Sequence, residues 1–407
     1  MNLCYVLDSW PRLSETFVRR ELAIAARLHD VRILALERSN ETVDDDESRT
    51  LEARVTFLGV DFEGARGAGS VSLLHPLRAR RALLAARRAR VEGTLRRLPA
   101  LLGAADRLRR WRVDRIHAHF ARWATAAAEV LSAYTGAPFG FTAHAYDLFD
   151  DPVRFHEKVR AASWVVTCSD FGAANARRLA REAAAKIVTI RHGLDLGRWA
   201  PATAPRAPGP CRILAVGRLI PIKGFDVLID AAALLRQRGV DAALELVGEG
   251  EAAPALEAKA RTLGLADRVR LVGARRPDEV REAMRTWADV VAVPSRLDRL
   301  PNVVAEALAC GRPVVATSVG GIAELVTHGE TGLLVAPDDA AALADALARL
   351  AADPALCVRL GAAGRARVEA VFDADVNVRA LLAHIESAAN PGPLSRGNSF
   401  GTKVLDD

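Results

Sequence analysis

The stretch from Ala288 to Val326, ADVVAVPSRLDRLPNVVAEALACGRPVVATSVGGIAELV, constrains the fold more than any other part of the chain. Val290–Val293 is a short apolar run stopped by Pro294-Ser295, the pattern of a strand buried on both faces of a parallel sheet. A polar loop with Asp298 and Arg299 follows. Pro301 stands where a helix can begin, an apolar helical run spans Val303 to Ala309, and Gly311 ends it. Pro313 to Ala316 reads as a second buried strand, and Gly320-Gly321 as the opening of a further helix. Together these make a βαβα unit, and ligands bind beyond the carboxyl ends of such strands. Asp298 and Glu306 therefore fall at the crevice, where neither reads as core.

A chain of 407 residues is too long for one ordinary core and predicts two domains of roughly 200 residues each. Pro201 to Pro210, with four prolines, is the clearest linker. It divides a first domain, residues 1–200, from a second, residues 211–375. A helical stretch over 376–390 follows, then a tail over 391–407 without periodicity, which reads as disordered. The five cysteines are scattered and form no CxxC pair, which argues against a metal cluster or disulfide framework and fits a reducing cytosol. Met1 to Leu7 is apolar but meets Asp8 at once, so it reads as a first strand and not as a signal peptide. No run of 18 apolar residues is present, so a membrane-spanning helix is not expected.

The formal charge is +6, and all but five of the 56 basic residues are arginine. Twelve of the arginines crowd into Leu73 to Arg112 among leucines near helical spacing. One or two basic amphipathic helices are predicted there. They read either as a solvated face or as a docking face for anionic lipid. Nucleic acid is a poorer partner because stacking aromatics are nearly absent.

Gly217-Arg218-Leu219-Ile220-Pro221-Ile222-Lys223-Gly224 follows a predicted strand, Arg212 to Val216, and precedes a helix. A glycine-bounded loop with two cations at a strand's carboxyl end suits a diphosphate: backbone N–H groups and the helix N-terminus hold oxygens, and arginine adds a bidentate clamp. It is not a Walker A loop, since GxxxxGK[ST] is absent. In the first half, Ser14 can cap a helix from Glu15 to Leu28. His117, His119 and His144 stand at the ends of adjacent predicted strands. They mark either a metal site or a polar rim of an active site, and the lack of a further acidic or histidine ligand at the end of Trp164 to Thr167 favours the rim.

The pattern from Pro294 through Asp298, Pro301-Asn302 and Glu306 to Gly311 and Pro313-Val314-Val315-Ala316 resembles the donor-binding segment of the retaining GT-B glycosyltransferases of family 4. There the segment usually holds two glutamates separated by seven residues. Here Asp298 takes the first position and Glu306 the second. The Ser14-Glu15-Thr16-Phe17 loop resembles the exopolysaccharide-building subset, and His192-Gly193-Leu194-Asp195 resembles the turn that closes the family's first domain. The resemblance implies an α/β fold of two Rossmann-like doubly wound domains facing a cleft, with the last helix crossing back to brace the first domain.

The same resemblance assigns roles. Gly217, Arg218 and Lys223 would meet the donor diphosphate, and Ser14 would face it from the first domain. Gly273 and Arg275 belong to a turn whose backbone meets the nucleobase. Asp298, Leu300, Pro301 and Asn302 would line the donor sugar, Glu306 the ribose hydroxyls, and His144 the cleft from the acceptor side. The implied reaction moves a sugar from a UDP- or GDP-sugar to a hydroxyl of a lipid-linked saccharide in cell-surface polysaccharide synthesis. It retains anomeric configuration, with no metal and no cofactor beyond the nucleotide-sugar co-substrate. A cytoplasmic protein follows, with attachment to the inner face of the membrane left open. A nucleotide-sugar epimerase on the same fold would turn over donor without acceptor. A non-catalytic sensor would bind donor and release nothing.

Overall fold

The computed structural model describes residues 1–12, 15–41, 43, 45–58, 74–89, 93–201 and 209–388. The first domain is built on β1 (Asn2–Trp10), β2 (Asp30–Arg38), β3 (Val55–Phe57), β4 (Arg115–His119), β5 (Phe139–Ala143), β6 (Trp164–Thr167) and β7 (Ile187–Thr189). They form one parallel sheet in the order β3-β2-β1-β4-β5-β6-β7. The second domain holds β8 (Cys211–Val216), β9 (Ala242–Val247), β10 (Val269–Leu271), β11 (Val290–Val293), β12 (Val314–Thr317) and β13 (Gly332–Val335). Their order is β10-β9-β8-β11-β12-β13, again parallel. Parallel strands are covered on both faces, which is why these segments read as unbroken apolar runs. In each sheet the strand order reverses beside the first strand, at β1/β4 and at β8/β11. Those reversals open the two crevices that face each other.

Apolar side chains pack on both sides of each sheet. One core lies between the first sheet and the helices Leu98–Arg110 and Trp123–Thr135. Another joins β1, β2, the helix Thr16–Leu28 and the last helix, Ala374–Ser387. Val378, Leu381, Leu382 and Ile385, on one face of that last helix, pack with Val18, Leu22 and Ala25. The chain crosses between the domains twice, and the two crossings are hydrogen-bonded to each other. Leu194 N–H donates to Phe372 O at 2.7 Å, and Ala374 N–H to Leu194 O at 3.0 Å. Gly193 makes this approach possible: at φ +99°, a Cβ there would lie 2.6 Å from the Ala374 backbone.

Three local expectations need correction. β1 runs on to Trp10, because pairing with β2 continues to Trp10 opposite Arg38 and the indole is buried. Gly320-Gly321 opens only a single 3₁₀ turn, Ile322–Glu324. The glycines serve a close approach instead: a Cβ on Gly320 would stand 1.6 Å from Asp298 O and one on Gly321 1.9 Å from Arg299 O. The helix after β1 starts at Thr16, and Glu15 at its N-cap position makes no capping bond. Ser14 and the tail over 391–407 lie outside the described residues.

Among its described residues the arginine-rich segment holds the helices Pro76–Ala89 and Leu98–Arg110. Small residues let the first pack closely: Ala82, Ala85, Ala86 and Ala89 are its buried face. Leu77, Arg80, Arg81, Leu84, Arg87 and Arg88 form its exposed one. No helix among the described residues is long and apolar enough to cross a membrane.

Candidate active site

The loops that follow β8 and β11 meet at the crevice of the second domain. Lys223 Nζ lies 2.5 Å from Asp298 Oδ2, which also accepts from Ser295 Oγ at 3.1 Å. The other carboxylate oxygen of Asp298 accepts the Arg299 N–H at 3.1 Å. Gly224 brings the loops together: at φ +67° it leaves room for Pro294 O, which a Cβ would approach to 2.0 Å. Arg218 is exposed, its carbonyl accepts the Ile220 N–H at 2.9 Å, and its guanidinium makes no hydrogen bond or ion pair among the described residues. One cation of the loop is thus held by a carboxylate, while the other is free to meet an anion.

Pro301 occupies the N-cap position of the helix Asn302–Ala309, and Leu300 packs beneath it against the apolar core. Glu306, on the second turn of that helix, has its carboxyl pushed up to about 7 by burial, with Arg20 of the first domain acting in the opposite sense. Arg20 reaches in from the helix Thr16–Leu28, where its guanidinium donates to Gly193 O at 3.0 Å. Its Nε is buried without a hydrogen-bond partner, 3.9 Å from the Glu47 carboxylate.

The first domain contributes an aromatic and imidazole wall. His144 follows β5, its backbone N–H held by Asp147 Oδ2 at 2.8 Å. Its ring is stacked against His192 at 5.3 Å between centroids, and Phe17 stacks on His192 at 4.1 Å. His144 Nε2 lies 3.2 Å from His119 Nδ1, and His119 Nε2 lies 3.1 Å from Glu21 Oε1. Burial, then the neighbouring histidines, hold His144 well below the ordinary histidine range. Burial also brings His192 down to about 4. His117 points the other way: the Trp164 indole donates to its Nδ1 at 3.0 Å, so its Nε2–H is the donor to Thr142 Oγ1 at 2.9 Å.

Among the described residues, two trios bring potential metal-ligating atoms within 4.8 Å of one another: Glu21, His117 and His119; and His144, Cys168 and His192. In the first, the ring nitrogens are already engaged by Trp164, Thr142, Glu21 and His144. In the second, burial pushes the Cys168 thiol up to about 11. The first set is thus a hydrogen-bonded wall, and in the second the His144 and His192 rings are stacked.

The domains touch around this cleft. Arg299 pairs with Asp150 at 2.8 Å and lies over the Phe149 ring. Glu324, beside Gly320-Gly321, accepts from the backbone N–H groups of Asp170 and Phe171 at 3.0 and 2.8 Å. These are the first residues of the helix Asp170–Leu179. Arg191 adds an ion pair to the same carboxylate at 2.8 Å.

Lys223, Asp298 and the Arg218 loop are brought together in the second crevice, with Gly217 hydrogen-bonded to Val247 O. Gly273 turns at φ +73°, its carbonyl taking the Gly248 N–H at 2.8 Å. The Arg275 side chain is committed elsewhere, to buried Glu245 at 3.3 Å. Sequence reasoning placed Phe17 and His192 in motifs but gave no site role to Phe17, Arg20, Glu21, Asp147 or His192. The signal was available in the helix Thr16–Leu28, where Glu21 lies beside the apolar stripe of Val18, Leu22 and Ala25. A charge in that position is buried only if something partners it.

Residues 15–198 match the family described as Glycosyltransferase Family 4, and residues 210–353 the one described as Glycosyl transferases group 1. The chain carries these two glycosyltransferase domains in tandem. Among curated relatives, it is 33% identical over 278 residues to the glycogen synthase of Mycobacterium tuberculosis, covering 65% of this chain and 66% of that one. It is 40% identical over 187 residues to the D-inositol 3-phosphate glycosyltransferase of Pseudarthrobacter chlorophenolicus, covering 44% of each. The alignments thus span from under half to about two thirds of these relatives' lengths. Anabaena Alr3699/HepE, solved in complex with UDP, superposes with a TM-score of 0.70 at 20% identity, over 95% of this chain and all of that one. At that identity the likeness shows the fold alone: two Rossmann-like domains in the GT-B arrangement.

Proposed function

We propose that this glycosyltransferase chain moves a sugar from a UDP- or GDP-sugar to a hydroxyl of a lipid-linked saccharide in cell-surface polysaccharide synthesis, with retention at the anomeric carbon. The observation that carries the reading is the meeting of Lys223 and Asp298 at 2.5 Å beside an unpaired Arg218. The difficult step is departure of a nucleoside diphosphate, which gathers negative charge as the glycosidic bond breaks. Arg218 and Lys223 stabilise that charge in the position a metal ion fills elsewhere, so no metal is needed. Asp298 holds Lys223 in place, and its remaining lone pair, on Oδ1, accepts from a hydroxyl of the donor sugar. Glu306 accepts from the ribose hydroxyls, the turn at Gly273 meets the base, and His144 bonds the donor sugar near the reacting carbon.

The acceptor reading rests on the exposed arginines and leucines of Pro76–Ala89, which suit the headgroups of an anionic inner leaflet in a cytoplasmic protein. Thermal shift with a panel of UDP-, GDP-, ADP- and dTDP-sugars tests the donor assignment. A rise in melting temperature with UDP- or GDP-sugars supports it, and a rise confined to ADP- or dTDP-sugars contradicts it. No shift with any class removes it.

A further inference from the structure

The Glu21–His119–His144 chain is buried from end to end. Its three side chains are linked at 3.1 and 3.2 Å, and the residues are 5%, 0% and 6% exposed. They come from three different elements: the helix Thr16–Leu28, the last residue of β4, and the residue that follows β5. We infer that Glu21 and His119 are positioning residues that fix the proton of His144, so that His144 presents a bare Nδ1, a hydrogen-bond acceptor, to the donor sugar.

A carboxylate only accepts, so His119 Nε2 carries its proton toward Glu21. A neutral His119 then has a lone pair at Nδ1, and the proton shared with His144 belongs to His144 Nε2. His144, kept neutral by burial among His192, His119 and His117, is left with an unprotonated Nδ1. Tyr5 stacks on the His119 ring at 5.9 Å and 12° between planes, which limits rotation that would exchange the two nitrogens. The Asp147 bond to the His144 backbone and the stacked His192 ring hold the other end of the chain.

The consequence is chemical. In the transferase reading, on which this inference rests, positive charge builds at the anomeric centre as the nucleotide departs. A sugar hydroxyl that donates to a nitrogen lone pair becomes more electron-rich, and the Glu21 charge behind His119 strengthens that acceptor. A carboxylate orienting an imidazole through its far nitrogen is the logic of a triad's third member. Here it acts through two rings and transfers no proton.

Long-range ¹H–¹⁵N spectra of histidine-labelled protein distinguish protonated from bare ring nitrogens, with His144 assigned from a His144→Gln sample. Wild-type protein should show His144 protonated at Nε2 and bare at Nδ1 near neutral pH. Glu21→Gln keeps an acceptor of the same shape but loses the charge. It should lower kcat about tenfold or more with donor KM within about twofold, a cost of roughly 1.4 kcal/mol. Glu21→Leu, if it folds, should scramble the His144 tautomer and lose still more kcat. A protonated Nδ1 on His144 in the wild type overturns the inference without any turnover measurement. So does a Glu21→Gln enzyme with unchanged kcat. Failure of nucleotide release in the wild type would instead strike the transferase reading and leave the tautomer result standing.

Discussion

Lys223 and Asp298 are one unit at the residue scale, and their contributions should not add. Lys223→Ala removes a charge stabiliser, typically worth about 3 kcal/mol of transition-state stabilisation, and also frees the Asp298 carboxylate. Arg218→Ala should cost a similar amount independently. A cycle of Lys223→Ala, Asp298→Asn and the double variant should show a coupling of about 0.5–3 kcal/mol in kcat/KM, whereas Arg218 paired with Asp298 should show little. Additive losses at Lys223 and Asp298 would mean that their ion pair plays no part in turnover. Glu306 makes a second prediction at this scale. Its carboxyl is raised to about 7 in the folded protein, above the ordinary carboxylate value of about 4.3. The folded state therefore holds the proton more tightly, and stability present below the ordinary range is lost as pH rises through about 7. Glu306→Gln should gain melting temperature relative to wild type as pH rises across that window. A difference independent of pH would show that Glu306 is not a strained buried acid.

Much of the second crevice was legible in the sequence because its residues lie in short loops bounded by proline and glycine. The cations of the Arg218 loop and the Asp298 carboxylate follow recognisable strand ends, and Glu306 lies on the helix that Pro301 opens. The pairing of Lys223 with Asp298, 75 residues apart in the chain, was not, since it depends on how far two loops lean together over Gly224. The imidazole wall was only half legible. His117, His119 and His144 stand out in sequence, but spacing along strands cannot tell which way each ring turns. His117 faces Trp164, while His119 and His144 face Glu21 and the cleft.

At the scale of elements, the helix Pro76–Ala89 divides its labour between two faces. Alanines on one side let it pack into the first domain's core, and Leu77 and Leu84, one heptad apart, stand 71% and 48% exposed among arginines on the other. Periodicity predicted an amphipathic helix, yet the leucines that define the pattern are not the residues it buries. That inversion follows from close packing, which favours alanine where two helices approach. Surface attraction to anionic lipid is worth about 1 kcal/mol per basic residue near the headgroups. The protein should co-sediment with phosphatidylglycerol vesicles at low salt and be released as salt rises. Arg80→Glu with Arg87→Glu should abolish that binding. Equal sedimentation with neutral vesicles, or none with either, would return this face to an ordinary solvated surface.

The whole molecule is held around its cleft by a few polar contacts and by the paired crossings at Leu194 and Phe372. Glu324 is the most connected of the contacts, engaging two backbone N–H groups at a helix N-terminus and the Arg191 guanidinium. Charge at that position is favoured by the helix dipole as well as by the bonds. Glu324→Ala should loosen the closed arrangement without unfolding either domain. Small-angle scattering should then report a larger radius of gyration with the far-ultraviolet circular dichroism unchanged. An unaltered radius would place the closure in the other contacts.

Initial-rate release of nucleoside diphosphate tests the central claim most directly, measured with the donor that binds best and compared between wild-type protein and the Arg218→Ala, Lys223→Ala double variant. The account predicts release by the wild type that rises when a saccharide acceptor is added and falls at least a hundredfold in the folded double variant, from loss of about 2.7–4 kcal/mol per stabiliser. Wild-type release from a correctly folded double variant would contradict it.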